Sequence, residues 1–172
     1  MNNTKSKKRR SSLQERDVAK HFGGKQVISS GALWFSKADV RNDKFLIECK
    51  TTQEDYYSVT SKVWEKVQEE ATRDHMRIPL LIVDLQDKER FVVFRLNDFE
   101  GSVPEPYDST YNGTDIDNPP KSYRITLDNL KEAEDMCGEY VYGQLFIICG
   151  KRRNMLFYMR EKDFQEAFKE EL

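Results

Sequence analysis

Glu48 and Lys50 are separated by one residue inside an otherwise apolar stretch, Phe45-Leu46-Ile47-Glu48-Cys49-Lys50, and Asp39 lies nine positions before Glu48. On a strand, residues two apart share a face. A carboxylate and an ammonium therefore leave the strand together, and a hairpin would bring the second carboxylate beside them. Grouping like charges at one point costs free energy unless a cation sits between them. A hard divalent ion such as magnesium, with manganese as a substitute, meets that need. It takes one or two carboxylates, keeps several waters and completes its shell with substrate phosphate. Asp39 and Glu48 would hold the ion, joined by the backbone carbonyl of Cys49, whose side chain points into the core. The ion would polarise a phosphoryl oxygen and acidify a water. Lys50 would orient or deprotonate that water, or neutralise charge developing on phosphorus. Glu15, on a preceding helix, would reach the same point as a further ligand or as a partner to one.

The D-x8-E-x-K spacing also arises by chance, and an E-x-K pair on a strand is commonly a solvated face. The surrounding pattern argues for a site. Ser12 and Glu15 stand at capping-box spacing before a helix that runs to about Phe22, with Leu13, Val18, Ala19 and Phe22 inward. Gly23-Gly24 ends it. Ser29-Ser30-Gly31 reads as a turn. Residues 38–50 read as a hairpin turning at Arg41-Asn42-Asp43-Lys44, with Phe45, Ile47 and Cys49 on one face and Leu46, Glu48 and Lys50 on the other. A second helix, capped by Thr60 or Ser61, runs to about His75 with Val63, Val67, Ala71 and Trp64 as its inner residues. Leu80-Leu81-Ile82-Val83 has the continuous apolar character of a strand buried on both faces, and Phe91-Val92-Val93-Phe94 follows a polar turn.

This order predicts an α/β fold with a mixed central sheet flanked by helices and a C-terminal α+β extension. Residues 1–11 are expected to be a disordered basic tail, 12–100 the core, 101–122 a loop or linker, and 123–172 a helix-hairpin-helix extension, either appended or packed on the core as a pseudo-copy of the first half that lacks a catalytic hairpin. The extension carries an echo at an offset of 65 positions. Leu145-Phe146-Ile147-Ile148 follows Leu80-Leu81-Ile82-Val83, Leu156-Phe157-Tyr158 follows Phe91-Val92-Val93, and Asp163-Phe164 follows Asp98-Phe99. A degenerate duplication and a coincidence both account for it.

The net charge of −2 hides an asymmetry. Residues 1–50 carry 12 Lys and Arg against 5 Asp and Glu, whereas residues 51–172 carry 16 against 25. A basic front and an acidic back point to a polyanionic partner on one side. Lys8, Arg9, Arg10, Arg16, Lys37 and Arg41 are the candidate phosphate contacts, which give affinity without sequence readout. Trp34 and Phe35 read as loop residues tucked onto the core or as a wedge, and Gln68 as a solvated side chain or a substrate contact. Tyr56 and Tyr57 take no role. The three cysteines, Cys49, Cys137 and Cys149, form no C-x-x-C pair and fit reduced thiols in the cytoplasm. No apolar run approaches a membrane span, so no membrane partner is expected.

Five segments together resemble the PD-(D/E)XK nuclease superfamily, and within it the archaeal-type Holliday-junction resolvases. They are Q-E-R-D-V-A (14–19), S-S-G (29–31), A-D-V (38–40), L-I-E-C-K-T-T (46–52) and R-L-N-D-F (95–99). The resemblance covers about half the chain. It implies a restriction-endonuclease-like fold, magnesium-dependent hydrolysis of DNA, a homodimer on branched DNA, and catalytic or metal roles for Glu15, Asp39, Glu48 and Lys50, with Ser30 near the site. Ala38 replaces the family's proline, and residues 101–172 have no counterpart. A restriction-type or nicking endonuclease would use the same residues, and a non-cleaving DNA-binding module would have let them decay.

Overall fold

The computed structural model describes residues 3–27, 38–99, 120–128, 142–149, 152–169 and 172. Ser30, Trp34, Phe35 and Lys37 lie outside them, as does most of the loop expected at 101–122 and of the first helix of the expected helix-hairpin-helix extension. In chain order the elements are α1 (Asn3–His21), β1 (Lys25–Gln26), β2 (Val40–Arg41), β3 (Phe45–Thr52), β4 (Tyr56–Thr60), α2 (Ser61–Arg73), β5 (Ile78–Leu85), β6 (Glu89–Phe94), a 3-10 turn (Leu96–Asp98), β7 (Ser122–Thr126), β8 (Tyr142–Cys149), β9 (Arg152–Arg160) and α3 (Glu161–Ala167).

Seven strands form one mixed sheet in the order β1-β2-β3-β5-β6-β9-β8. The β3–β5 pair is parallel and the other pairings in this sheet are antiparallel. A parallel neighbour needs a crossover, and the chain between β3 and β5 supplies it as β4 and α2. Strand alternation then divides the core. Phe45, Ile47, Cys49, Leu80, Ile82, Val92 and Phe94 face α1 and α3, packing with Val18, Phe22, Phe164 and Phe168. Leu81, Val83, Leu85, Phe91 and Val93 face α2 and β4, packing with Trp64 and Val59. The expected α/β class, with a mixed sheet flanked by helices, is what the chain adopts.

Local chemistry sets the hairpin that matters most. Gly23, at φ +59°, ends α1. The amide of Gly24 reaches back to the Ala19 carbonyl at 2.7 Å and that of Gly23 to Lys20 at 3.4 Å, a Schellman closure. Asn42 then makes the β2–β3 turn, its Oδ1 accepting from the Lys44 and Phe45 amides at 2.9 and 2.6 Å. Its Nδ2 donates to the Phe22 carbonyl at 2.7 Å, which bolts the turn to the end of α1.

Three expectations are corrected. The helix starts at Asn3, so residues 3–11 are helical rather than a disordered tail. The segment from Asn3 to Arg10 holds five Lys and Arg, good helix formers, and no Gly or Pro. Leu13 is 46% exposed, and Gln14 takes the inner position. Gln14, Val18 and Phe22 repeat every four residues, and the amide of Gln14 donates to the Lys50 carbonyl at 2.8 Å. Residues 122–126 form β7 against β4 instead of ending a linker and opening a helix-hairpin-helix unit. Tyr57 and Val59 alternate inward, as do Tyr123 and Ile125, and such β-branched and aromatic residues suit a half-buried strand.

β8 and β9 are strands of the seven-stranded sheet rather than an appended unit. β9 pairs with β6, and the register sets Val93 against Tyr158. These two are each other's counterparts at the 65-residue offset. The correspondence stops at that strand pair, because Val93 pairs with Leu81 whereas Tyr158 pairs with Gly143 rather than with Phe146; Phe99 still packs against its own counterpart Phe164 with ring centroids 5.7 Å apart. Among the described residues no helix is long and apolar enough to cross a membrane.

Candidate active site

Asp39 sits at a bend just before β2. Its amide donates to the Ile47 carbonyl at 3.1 Å, and its Oδ2 accepts from the Cys49 amide at 2.8 Å. A side-chain carboxylate thus stands where a backbone acceptor would extend the ladder, which locks Asp39 against the middle of β3. Burial, then the charge of Glu48, push the Asp39 carboxyl up to about 6, against the Cys49 amide and Lys50, which pull it down; Glu15 adds a weaker upward push.

Glu48 points to the α2 side of the sheet and is 4% exposed. Its Oε1 accepts from Lys50 Nζ at 2.5 Å and from Lys66 Nζ at 2.8 Å. Its Oε2 is buried with no hydrogen-bond partner among the described residues. A buried carboxylate oxygen without a partner is costly. It needs a donor or a cation that none of the described residues supplies.

Cys49 faces the α1 side within the core, and burial raises its thiol well above the usual value. The side chain is not presented as a ligand, in keeping with a role confined to its backbone carbonyl. Glu15 is placed differently from the expectation of convergence. It lies close enough for its charge to be felt at Asp39, but its own oxygens are held by Ser11 Oγ at 3.0 Å and by Gln26 Nε2 at 2.5 Å. Among the described residues no three His, Cys, Asp or Glu side chains converge as ligands. Asp39, Glu48 and Lys50 come together; Glu15 stands at the margin.

Two further residues join the cluster that the sequence did not single out. Lys66 comes from α2, and the available signal was its spacing. Lys66 and Glu70 are four apart on the flank of the stripe formed by Trp64, Val67 and Ala71, and Glu70 is buried. Tyr57, on β4, has its phenol pushed up to about 12 by burial and then by Glu48, with Lys66 opposing. Gln68, the residue of that helix named from sequence, is half-buried, and Lys66 holds the contact to the cluster instead.

Lys8, Arg9 and Arg16 are exposed on α1 and Arg10 is half-buried. Gln14 is the first buried residue of that helix among those described, and it anchors on the carbonyl of Lys50. The basic turns before it therefore lead away from the Lys50 end of β3. Arg41 faces elsewhere. It pairs with Asp74 at 3.7 Å and lines a cavity of about 470 Å3 with Lys25, Asn42, His75 and Arg77.

No family model matches the chain, and no curated protein matches it in sequence. A solved structure does align with it. The match is to Hjc of Archaeoglobus fulgidus, described as a Holliday junction resolvase from an archaeal hyperthermophile, at 15% identity and a TM-score of 0.42. The alignment covers 68% of this chain and 88% of that one. What this chain does has to be read from Asp39, Glu48, Lys50 and their neighbours.

The raised Asp39 carboxyl has a measurable consequence. Between its ordinary value of 3.8 and about 6, the folded protein binds more protons at this site than the unfolded chain. Stability from this group is therefore complete below 3.8 and is lost as pH rises through 6. Asp39→Asn removes the charge but keeps an acceptor for the Cys49 amide. Without metal, its stability relative to wild type is expected to improve by on the order of 2 kcal/mol from pH 4 to pH 8. Urea unfolding at the two pH values checks this; a difference between variant and wild type that does not change with pH would contradict it.

Proposed function

We propose that the protein is a metal-dependent endonuclease that hydrolyses DNA phosphodiester bonds, with Asp39 and Glu48 as the cation ligands. The observation that carries this reading is the buried Oε2 of Glu48, which has no partner among the described residues, beside the carboxylate of Asp39; Glu48 meets the ammonium groups of Lys50 and Lys66, and Asp39 feels the charge of Lys50. The donor set fits magnesium or manganese, which are content with one or two carboxylates when water and phosphate fill the remaining positions. When bound, the ion supplies Lewis-acid polarisation of the phosphoryl group.

The chain's own residues supply the rest. Asp39 is fixed by the Cys49 amide, so its carboxylate is oriented before substrate arrives. Lys50, 34% exposed at its side chain, presents an ammonium at the mouth of the site. There it orients the attacking water and offsets negative charge as phosphorus becomes five-coordinate. Lys8, Arg9, Arg10 and Arg16 on α1 contact backbone phosphates flanking the scissile one, a contact that weakens with salt.

Preference for branched DNA, and a homodimer to act on it, are the finer part of the proposal. They rest on the motif resemblance of residues 14–19, 29–31, 38–40, 46–52 and 95–99 to the Holliday-junction resolvases. A panel of four-way junction, flap, duplex and single strand with magnesium, run beside Lys50→Ala, tests both levels. Paired nicks in the junction that disappear in the variant are expected. Equal cutting of plain duplex would favour a restriction-type or nicking enzyme. Tight binding without cutting in magnesium or manganese would favour a DNA-binding module.

A further inference from the structure

Two ammonium groups converge on one oxygen of Glu48, and they are not equivalent. Lys50 is two residues from Glu48 on the same face of β3, so the strand itself fixes their separation. Lys66 arrives from α2 on a four-carbon stem, with its side chain 45% exposed. One turn along the helix Glu70 offers its ammonium a second carboxylate, now 4.0 Å away. Lys66 is the partner that can leave.

We infer that Lys66 is a resident counter-charge for the cation site, which holds Glu48 in place without metal and competes with the divalent ion for that carboxylate. This rests on the reading of Asp39 and Glu48 as cation ligands. The physical case has two sides. A carboxylate that is 4% exposed is costly to bury without a compensating charge, and Lys66 with Lys50 provides it. The same charge, 2.8 Å from the Glu48 oxygen, repels a cation approaching that group. A lysine suits both tasks, because its ammonium is a compact charge on a flexible stem that water readily solvates once released. Filling the site thus exchanges one positive partner of Glu48 for another, and frees an ammonium beside the bound phosphate.

Two opposite effects follow from one substitution, which separates this role from simple packing. Lys66→Gln should lower the melting temperature of the metal-free protein by several degrees and bind manganese about tenfold more tightly than wild type. Lys66→Arg should resemble wild type in both. Calorimetric titration of the full chain with manganese chloride, beside melting curves in chelator, measures the pair. Lys66→Met, which keeps the apolar stem, gives the same reading if Lys66→Gln does not fold without metal. Manganese binding by the charge-removed variant that is equal to or weaker than wild type would overturn the inference and leave the cation site standing. No manganese binding by wild type would remove the cation site itself, and this inference with it.

Discussion

Glu48→Gln is expected to leave a folded protein that cleaves DNA at least about a thousandfold more slowly. Loss of a metal ligand removes both the position of the ion and its charge, and groups that stabilise developing charge each supply on the order of a hundred- to a thousandfold. The amide nearly matches the carboxylate in shape, so the surrounding packing of Leu46 and Ala71 is retained. Lys66, 45% exposed, can turn to water when its partner becomes neutral, and Lys50, 34% exposed at its side chain, already reaches solvent from where it stands. The cost in stability is therefore expected to stay near 1 kcal/mol, well below the 3 to 5 kcal/mol typical when a fully buried charge is stranded. Single-turnover cleavage and urea unfolding of the same preparation separate the two quantities. Activity within tenfold of wild type in a folded variant would remove Glu48 from the chemistry.

Deleting residues 142–172 is expected to abolish folding altogether. The deletion removes Phe157, Met159, Phe164 and Phe168 from a core that includes Phe22, Phe45, Phe94 and Phe99. Phe168 stacks 4.4 Å from Phe99, and Phe164 lies 5.1 Å from Phe94. Truncating one buried phenylalanine costs about 3 to 5 kcal/mol, and the total stability of a domain is roughly 5 to 15 kcal/mol. Losing three phenylalanines and a methionine together costs about 11 to 20 kcal/mol, as much as or more than that total. The ion-pair chain from Asp84 through Arg90 to Glu161 and His21 would be cut as well, leaving Arg90 beside a single partner. Circular dichroism and amide spectra of the truncated chain test this. A cooperatively folded fragment 1–141 would show that the second hairpin is an appendage after all.

The contrast between these two deletions of function and of fold mirrors what the sequence could show. The E-x-K pair was legible because strand alternation is local. Ile47 and Cys49 go one way and Glu48 and Lys50 the other, whatever the rest of the chain does. The strand Leu80–Val83 was legible because burial on both faces leaves a continuous apolar run. The role of residues 142–172 was not, because which edge a hairpin joins depends on contacts between residues 65 positions apart. The 65-residue echo is visible in the sequence, and the structure keeps it in the pairing of Val93 with Tyr158 but not in the hairpin registers, where Val93 meets Leu81 and Tyr158 meets Gly143. Lys66 was missed for a related reason. A lysine on an amphipathic helix reads as solvated, and only the packing of α2 over β3 brings it within 2.8 Å of Glu48. Hydrophobicity argues for Leu13 on the inner face of the helix, whereas the half-buried carbonyl of Lys50 favours an amide donor there, which Gln14 supplies.

The basic start of α1 shows how far composition alone can lead astray. Five cationic residues between Asn3 and Arg10 suggest a repelled, unstructured tail. Lysine and arginine also have good helix propensity, and the helix anchored at Gln14, Val18 and Phe22 propagates backward through them. The result is a cationic rod attached next to the Lys50 end of the site, a more ordered presentation of charge than a tail would give.

The most direct test is the position of manganese in crystals grown with the ion and a DNA duplex, read from its anomalous scattering. The expected result is a peak about 2.1 Å from one carboxylate oxygen each of Asp39 and Glu48, with Lys66 turned away from Glu48 and a DNA phosphate oxygen completing the shell. A map in which Glu48 keeps both of its lysines while manganese binds elsewhere would contradict the account at its root.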